Sequence, residues 1–194
     1  MLYSFLSNYL TPVHYLKQKK IVITGGPGTG KSTIIDQLLE MKFTCMPEIS
    51  RTITKEAQLS GIDQLFLKDP LLFSKLLLHG RISQYEAATA QASQVVFFDR
   101  GIPDIHGYMD YLGAEYPEVY TQKSQEFRYS HVFMMPPWEN IYKTDNERYE
   151  TYEEAEKIHK FLTQSYQKYG YEVIEVPFGT LEERMKFMIT HLEI

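Results

Sequence analysis

The chain has 194 residues, 43% of them hydrophobic, which is enough for one domain with a full core, and carries a net charge of −5 with a pI of about 5.7. That balance offers no basic face to nucleic acid, so a site for an anionic ligand must gather its cations locally. Cys45 is the sole cysteine, which excludes an internal disulfide and fits a reducing, cytoplasmic setting, and the six histidines lack zinc-site spacing.

Residues 1–19 read as an N-terminal extension. Leu2, Phe5, Leu6, Tyr9 and Leu10 form a short helical stripe, without the basic start or small-residue cleavage site of a signal peptide. The stretch is too short and polar to cross a bilayer. A peripheral helix packing on the domain is the favoured reading; a partner-binding or membrane-surface segment is the alternative.

The domain itself, 20–194, opens on KIVITGGPGTGKST. A β-branched run, Ile21 to Thr24, enters Gly25 to Ser32, which matches the phosphate-loop pattern G-x-x-x-x-G-K-[ST], and Ile34, Ile35, Leu38 and Leu39 then recur at helical spacing. The glycines let backbone N–H groups approach phosphate oxygens, and the helix beginning near Lys31 adds its positive end. Gly25, Gly26, Pro27, Gly28, Thr29, Gly30, Lys31, Ser32 and Thr33 are therefore the predicted ATP-binding residues. Lys31 is expected to reach the outer phosphates and the Ser32 hydroxyl to ligate magnesium.

A second strand is predicted over Phe43 to Pro47, ending at Glu48, and a helix over Ile49 to Leu59. Asp69 and Pro70 have the character of an N-cap and first position of a long helix with Leu72, Leu76, Ile82, Tyr85 and Ala88 inward and a weak point at Gly80. Val95 to Phe98 is a doubly buried strand that stops at Asp99-Arg100-Gly101. Helices over Pro103 to Leu112 and Pro117 to Phe127 precede a fourth strand, His131 to Met134. Residues 138–150 read as a mobile lid or loop with a short helix. Thr151 and Glu154, then Thr180 and Glu183, have capping-box spacing before two further helices, with a fifth strand at Tyr171 to Val176 between them. Strands alternating with helices imply a three-layer α/β fold of the phosphate-loop NTPase type, with a five-stranded parallel sheet and ligands at the carboxyl ends of its strands.

Chemistry should gather there. Asp99 stands where such enzymes place the acid that holds magnesium, or else it caps the following turn. Arg100 suits a phosphate, a carboxylate or a transition-state oxygen, or an ion pair with Asp99 or Glu48. Glu48 is placed to accept a proton from an attacking hydroxyl, or simply heads the next helix. Lys143 and Arg148 lie on the segment that would close over a transferring group, with Arg148 the preferred lid arginine. Arg51 is a candidate substrate contact, whereas Arg128 and Arg184 read as surface or ion-pair residues. Tyr108, Tyr111 and Trp138 are possible stacking partners for a ring, and Phe178 a neighbour for the adenine.

With GGPGTGKST, PEISR at Pro47 to Arg51, FFDRGIPD at Phe97 to Asp104, the lid arginine and the EVPFGTLEER ending in view, the chain from about Ile21 to His191 resembles the small P-loop ATPase and kinase family. That family includes an AAA-like ATP-binding domain and the ribosylnicotinamide kinase domain, and nucleoside and nucleotide kinases are similar in plan. The resemblance implies ATP-dependent phosphorylation of a small molecule, Asp99 and Arg100 at the phosphates, and Glu48 or Asp104 near the acceptor. A single lid arginine with Lys143 departs from the several arginines common in nucleotide kinases.

The function expected is transfer of the γ-phosphoryl group of ATP, with magnesium, to a hydroxyl of a nucleoside- or metabolite-like molecule. Here Lys31, Asp99, Glu48, Arg100 and Arg148 are catalytic candidates, and Ser32 and Asp99 the metal candidates. The alternative is a nucleotide-binding regulatory ATPase that switches a protein partner. No N/T-K-x-D guanine signature or transporter signature is present, and the acceptor, the base and the oligomeric state stay open.

Overall fold

The computed structural model describes residues 18–142 and 150–194; the predicted N-terminal helix, Lys143 and Arg148 lie outside them. In chain order the elements are β1 (Lys19–Thr24), α1 (Lys31–Glu40), β2 (Thr44–Met46), α2 (Ser50–Leu59), α3 (Leu65–Lys68), α4 (Pro70–Thr89), β3 (Val95–Asp99), α5 (Pro103–Tyr111), α6 (Val119–Glu126), β4 (His131–Met134), a 3-10 turn at Glu139–Ile141, α7 (Tyr152–Lys168), β5 (Val173–Glu175) and α8 (Leu181–Leu192). All strand pairs are parallel, in the order β2-β3-β1-β4-β5. This is the predicted three-layer architecture.

Central β1 is the strand with the phosphate loop; β3 and β4 pair with its two edges and helices cover both its faces, so that Ile21, Val22 and Ile23 are 0% exposed. Alternation along the strands sorts the core into two layers. Ile21, Ile23, Phe97 and Phe133 face Ile34 and Leu38 of α1 with Met188 of α8. Val22, Phe98 and Val132 face the opposite way, onto Ala88 of α4 and Ile158, Leu162 and Tyr166 of α7. A third cluster joins Leu77 and Leu78 of α4 to Ile105 and Met109 of α5 and Tyr120 of α6. Among the described residues no helix is long and apolar enough to cross a membrane.

Helix ends follow their chemistry. The Asp69 carboxylate accepts from the Leu72 amide at 2.9 Å with Pro70 at the first position, and both predicted capping boxes form, at Thr151 with Glu154 and at Thr180 with Glu183. The β2 and β5 strands are shorter than predicted because each is a sheet edge with a single partner. The helix α3 is one turn long, too short to leave a periodic signal.

In α4 the second half of the predicted inward stripe holds, with Ala88 buried and Ile82 and Tyr85 packed against the core, but the first half is out of phase. Leu72 and Leu76 are each 40% exposed, while Ser74, Leu77, Leu78, Arg81 and Ala88 are buried. Two runs of adjacent apolar residues, 71–73 and 76–78, blur the phase, and the first half of α4 packs on α5 and α6 instead of the sheet. Gly80 does not break the helix: a Cβ there would lie 2.5 Å from Cδ1 of Ile49, so the missing side chain makes room for α2.

Candidate functional site

The carboxyl ends of β1, β3 and β2 bring the predicted chemistry to one rim. The loop Gly25 to Gly30 leaves β1 and doubles into α1, with Gly28 at φ 71° and Gly30 at φ 77°, the left-handed conformation that favours glycine. Gly25 has a second constraint, since a Cβ would fall 2.5 Å from the carbonyl oxygen of Met135 at the end of β4. Thr29 Oγ1 donates to the Gly26 carbonyl at 3.1 Å and ties the loop across its own width.

Lys31 and Asp99, both nearly buried, form an ion pair through Nζ and Oδ1. Burial is the largest influence on Lys31 and lowers its pKa, helped by nearby Arg100; Asp99 and Glu48 oppose the shift. The lysine predicted to meet phosphate is thus paired with the acid predicted for the metal.

Arg100 has φ 74°, outside the range a side-chain-bearing residue ordinarily adopts, and its amide donates to the Ile23 carbonyl at 3.0 Å. Its Nε lies 2.5 Å from Glu48 Oε2, its Nη1 3.2 Å from Asp104 Oδ1, and its guanidinium 5.4 Å from the ring centre of Tyr108. Burial is the largest influence and favours the neutral form, but Tyr108, Glu48, Asp104 and Asp99 outweigh it, so Arg100 stays firmly cationic.

Glu48 caps the far side of this cluster. Burial pushes its carboxyl up, yet Arg100, Arg81, Lys31 and the Ser50 amide together bring it down to about 2. Asp104 is fully buried and accepts from four groups: Thr24 Oγ1, the Gly101 amide at 2.8 Å, the Tyr166 hydroxyl at 2.5 Å and Arg100. With both oxygens engaged, Asp104 holds Arg100 and the turn after β3 in place; its position beside the acceptor is implied by the family resemblance alone.

Ser32 and Thr33 are exposed on the first turn of α1, and Arg51 is exposed on the first turn of α2. Among the described residues no three His, Cys, Asp or Glu side chains cluster as a metal cage. A magnesium ion in a phosphate-loop enzyme takes one or two protein oxygens and completes its shell with water and phosphate. The Ser32 hydroxyl and the Asp99 carboxylate, whose Oδ2 has no hydrogen-bond donor among the described residues, fit that donor set.

On the other side of the loop, a cavity of about 140 Å³ opens between α1 and the β5–α8 turn, lined by Gly30, Thr33, Trp138, Ile141, Gly179 and Arg184. Trp138 and Phe178 flank it as a tilted pair with ring centres 5.3 Å apart, and Phe178 is 54% exposed. A larger apolar depression, about 410 Å³ and lined by Tyr85, Thr89 and Phe127, lies at the opposite end of the sheet, so size does not select the site.

Two residues here escaped the sequence reading. Arg81, 3% exposed within α4, donates to the Gly101 carbonyl and lies 3.9 Å from Glu48. Arg184, read as a surface or ion-pair residue, is 4% exposed and bonds to the phosphate loop. Both stand in phase with buried apolar neighbours, Leu77 and Leu78 for one and Met188 for the other, and a cation on an inward stripe is the signal that could have found them.

No curated protein matches the chain by sequence. Among solved structures, the deoxyadenosine kinase of M. mycoides with products dCMP and dCDP aligns over 90% of this chain and 98% of its own, with TM-score 0.66 and 16% identity. The NadR protein in complex with NR aligns over 91% of this chain with TM-score 0.66 and 18% identity, and this chain spans 50% of NadR. NadR with NAD and AMP-PNP gives TM-score 0.64 at 14% identity. These likenesses establish the fold as that of P-loop kinases. The model of the AAA domain family matches residues 20–184, from the first strand to Arg184, and the chain belongs to that family.

Proposed function

We propose that this protein is an ATP-dependent kinase that phosphorylates a hydroxyl of a nucleoside- or metabolite-like small molecule. The observation that carries the reading is the pairing of two strand-end units. The Lys31–Asp99 pair lies at the phosphate loop, and the Glu48–Arg100 pair, 2.5 Å across, lies beside it and is assigned here to the acceptor. The kinase and the NR complex among the structural neighbours support an acceptor of nucleoside type.

Phosphoryl transfer asks the protein for positioning and charge, with little covalent chemistry. The loop amides hold the phosphates of the donor, and Lys31 leaves Asp99 for them when they arrive. Bound magnesium, held by Ser32 and Asp99, would neutralise charge on the phosphate oxygens. Arg100, held through Nε by Glu48 and through Nη1 by Asp104, keeps Nη2 for the transferring oxygens. With its carboxyl at about 2, Glu48 is a feeble proton acceptor, but it is ionised at any physiological pH and can align the acceptor hydroxyl. That suits a loose transition state, where the proton leaves late. Arg51 borders the acceptor side, Phe178 with Trp138 provides the ring platform for the donor base, and the lid role of Lys143 and Arg148 is carried over from the sequence.

An ADP-release screen over nucleosides, nucleoside monophosphates, ribosylnicotinamide and simple alcohols tests the assignment. We expect one class of acceptor to raise turnover several hundred-fold over water. Lys31→Ala and Asp99→Asn should each cost about a hundredfold or more in kcat/KM, the scale for losing a group aimed at developing charge. A flat panel, with slow hydrolysis unchanged in Lys31→Ala, would remove the kinase.

A further inference from the structure

Arg184 is a buried cation without an acid. It lies on the first turn of α8 at 4% exposure, and among the described residues no carboxylate is paired with it. Nη1 and Nη2 each donate to the same acceptor, the carbonyl oxygen of Thr29, at 3.1 Å. Nη2 also lies 3.6 Å from Met135 Sδ, the guanidinium carbon is 5.7 Å from the ring centre of Trp138, and Nε has no partner. Burial lowers its pKa. A desolvated guanidinium that meets one peptide oxygen is an expensive arrangement, and nothing in the packing of α8 calls for it.

We infer that Arg184 is a positioning residue of the phosphate loop, turning the Thr29–Gly30 peptide so that its N–H faces a bound phosphate, and that the missing counter-charge is the ligand's own. This rests on the nucleotide reading above. In a planar trans peptide the carbonyl and the amide hydrogen point to opposite sides, so two donors from α8 on the Thr29 oxygen send the Gly30 hydrogen the other way, into the concave side of the loop. Two nitrogens on one oxygen fix direction as well as distance, which a lysine cannot do. Gly30 makes room for this: at φ 77°, a Cβ would fall 2.8 Å from Nη1. The last helix thereby aims the loop that begins the domain.

The test is calorimetric affinity for ATP and for tripolyphosphate, which lacks a base, on wild type, Arg184→Lys and Arg184→Met. We expect both variants to bind both ligands about tenfold or more weakly, the scale of a charge-assisted hydrogen bond, with Lys giving little rescue. A structural role alone would lower the melting temperature and the fraction of competent protein while leaving Kd unchanged, and that result would overturn the inference. Loss confined to ATP would place Arg184 at the base cavity and overturn it equally. If Arg184→Met does not fold, Arg184→Lys decides. Wild type that binds neither ligand would defeat the nucleotide reading itself and take this inference with it.

Discussion

His106 shows how one side chain can set a pH dependence far from any chemistry. It is fully buried on α5, 3.0 Å from Ser124 Oγ and 3.1 Å from the Tyr169 hydroxyl, with the Tyr116 ring edge-on at 4.7 Å. Burial is the main cause that takes its pKa down to about 4; Lys168 adds to the shift, while the Tyr120 backbone and Asp110 oppose it. The unfolded chain therefore binds the extra proton first. The neutral ring's contribution is complete above about 6.5 and is lost as pH falls through about 4, a change of about 3 kcal/mol. Urea unfolding at stepped pH should show that slope, and His106→Gln should flatten it, separating His106 from His131 and His159, which are also lowered. At this scale the residues that gather at the strand ends were legible by type: the glycine-rich run Gly25 to Ser32, and the Asp99-Arg100 pair that closes an apolar strand. Those that act through another residue were not. Asp104 carried no mark of its four donors, because Thr24 and Tyr166 lie far from it along the chain.

Among the elements, the crossing of α5 and α7 depends on Gly107. A Cβ there would be 2.9 Å from Cδ2, 3.0 Å from Cα and 3.2 Å from the backbone nitrogen of Leu162. Helix propensity alone would favour Gly107→Ala by about 1 kcal/mol. The overlap with backbone atoms outweighs this, since it separates two helices that share Asp104 and Tyr166, and we expect a net loss of about 1–2 kcal/mol in urea unfolding. Gly80→Ala is the internal comparison. Its new Cβ would meet Cδ1 of Ile49, which can rotate away, so its cost should be smaller. Helices with a clear cap and a single apolar stripe, such as α7 and α8, were legible in their caps and inward apolar face, with buried Arg184 of α8 the exception. In α4, apolar residues on too many faces left the inward one to tertiary contact.

For the whole molecule, ligand and fold share one equilibrium. A ligand at a hundred times its Kd adds about 2.7 kcal/mol to the stability of the state it binds, which for a chain of this size raises Tm by about 5–10 °C. A thermal melt with and without ATP should show the shift, and Lys31→Ala should abolish it. Parallel order and layering were readable because each strand is separated from the next by helix, whereas the order of strands across the sheet was not, being set by contacts between distant segments. That order, β2-β3-β1-β4-β5, matters to the birth of the protein as well as to its site. The centremost strand is the first of the described elements to be synthesised, yet the partners for its two edges come at Val95 and His131. Until both have left the ribosome, the apolar run Ile21 to Ile23 lacks the partners for its hydrogen-bonding edges. The candidate rim is therefore assembled late in translation, when Asp99 of β3 and finally Arg184 of the last helix arrive.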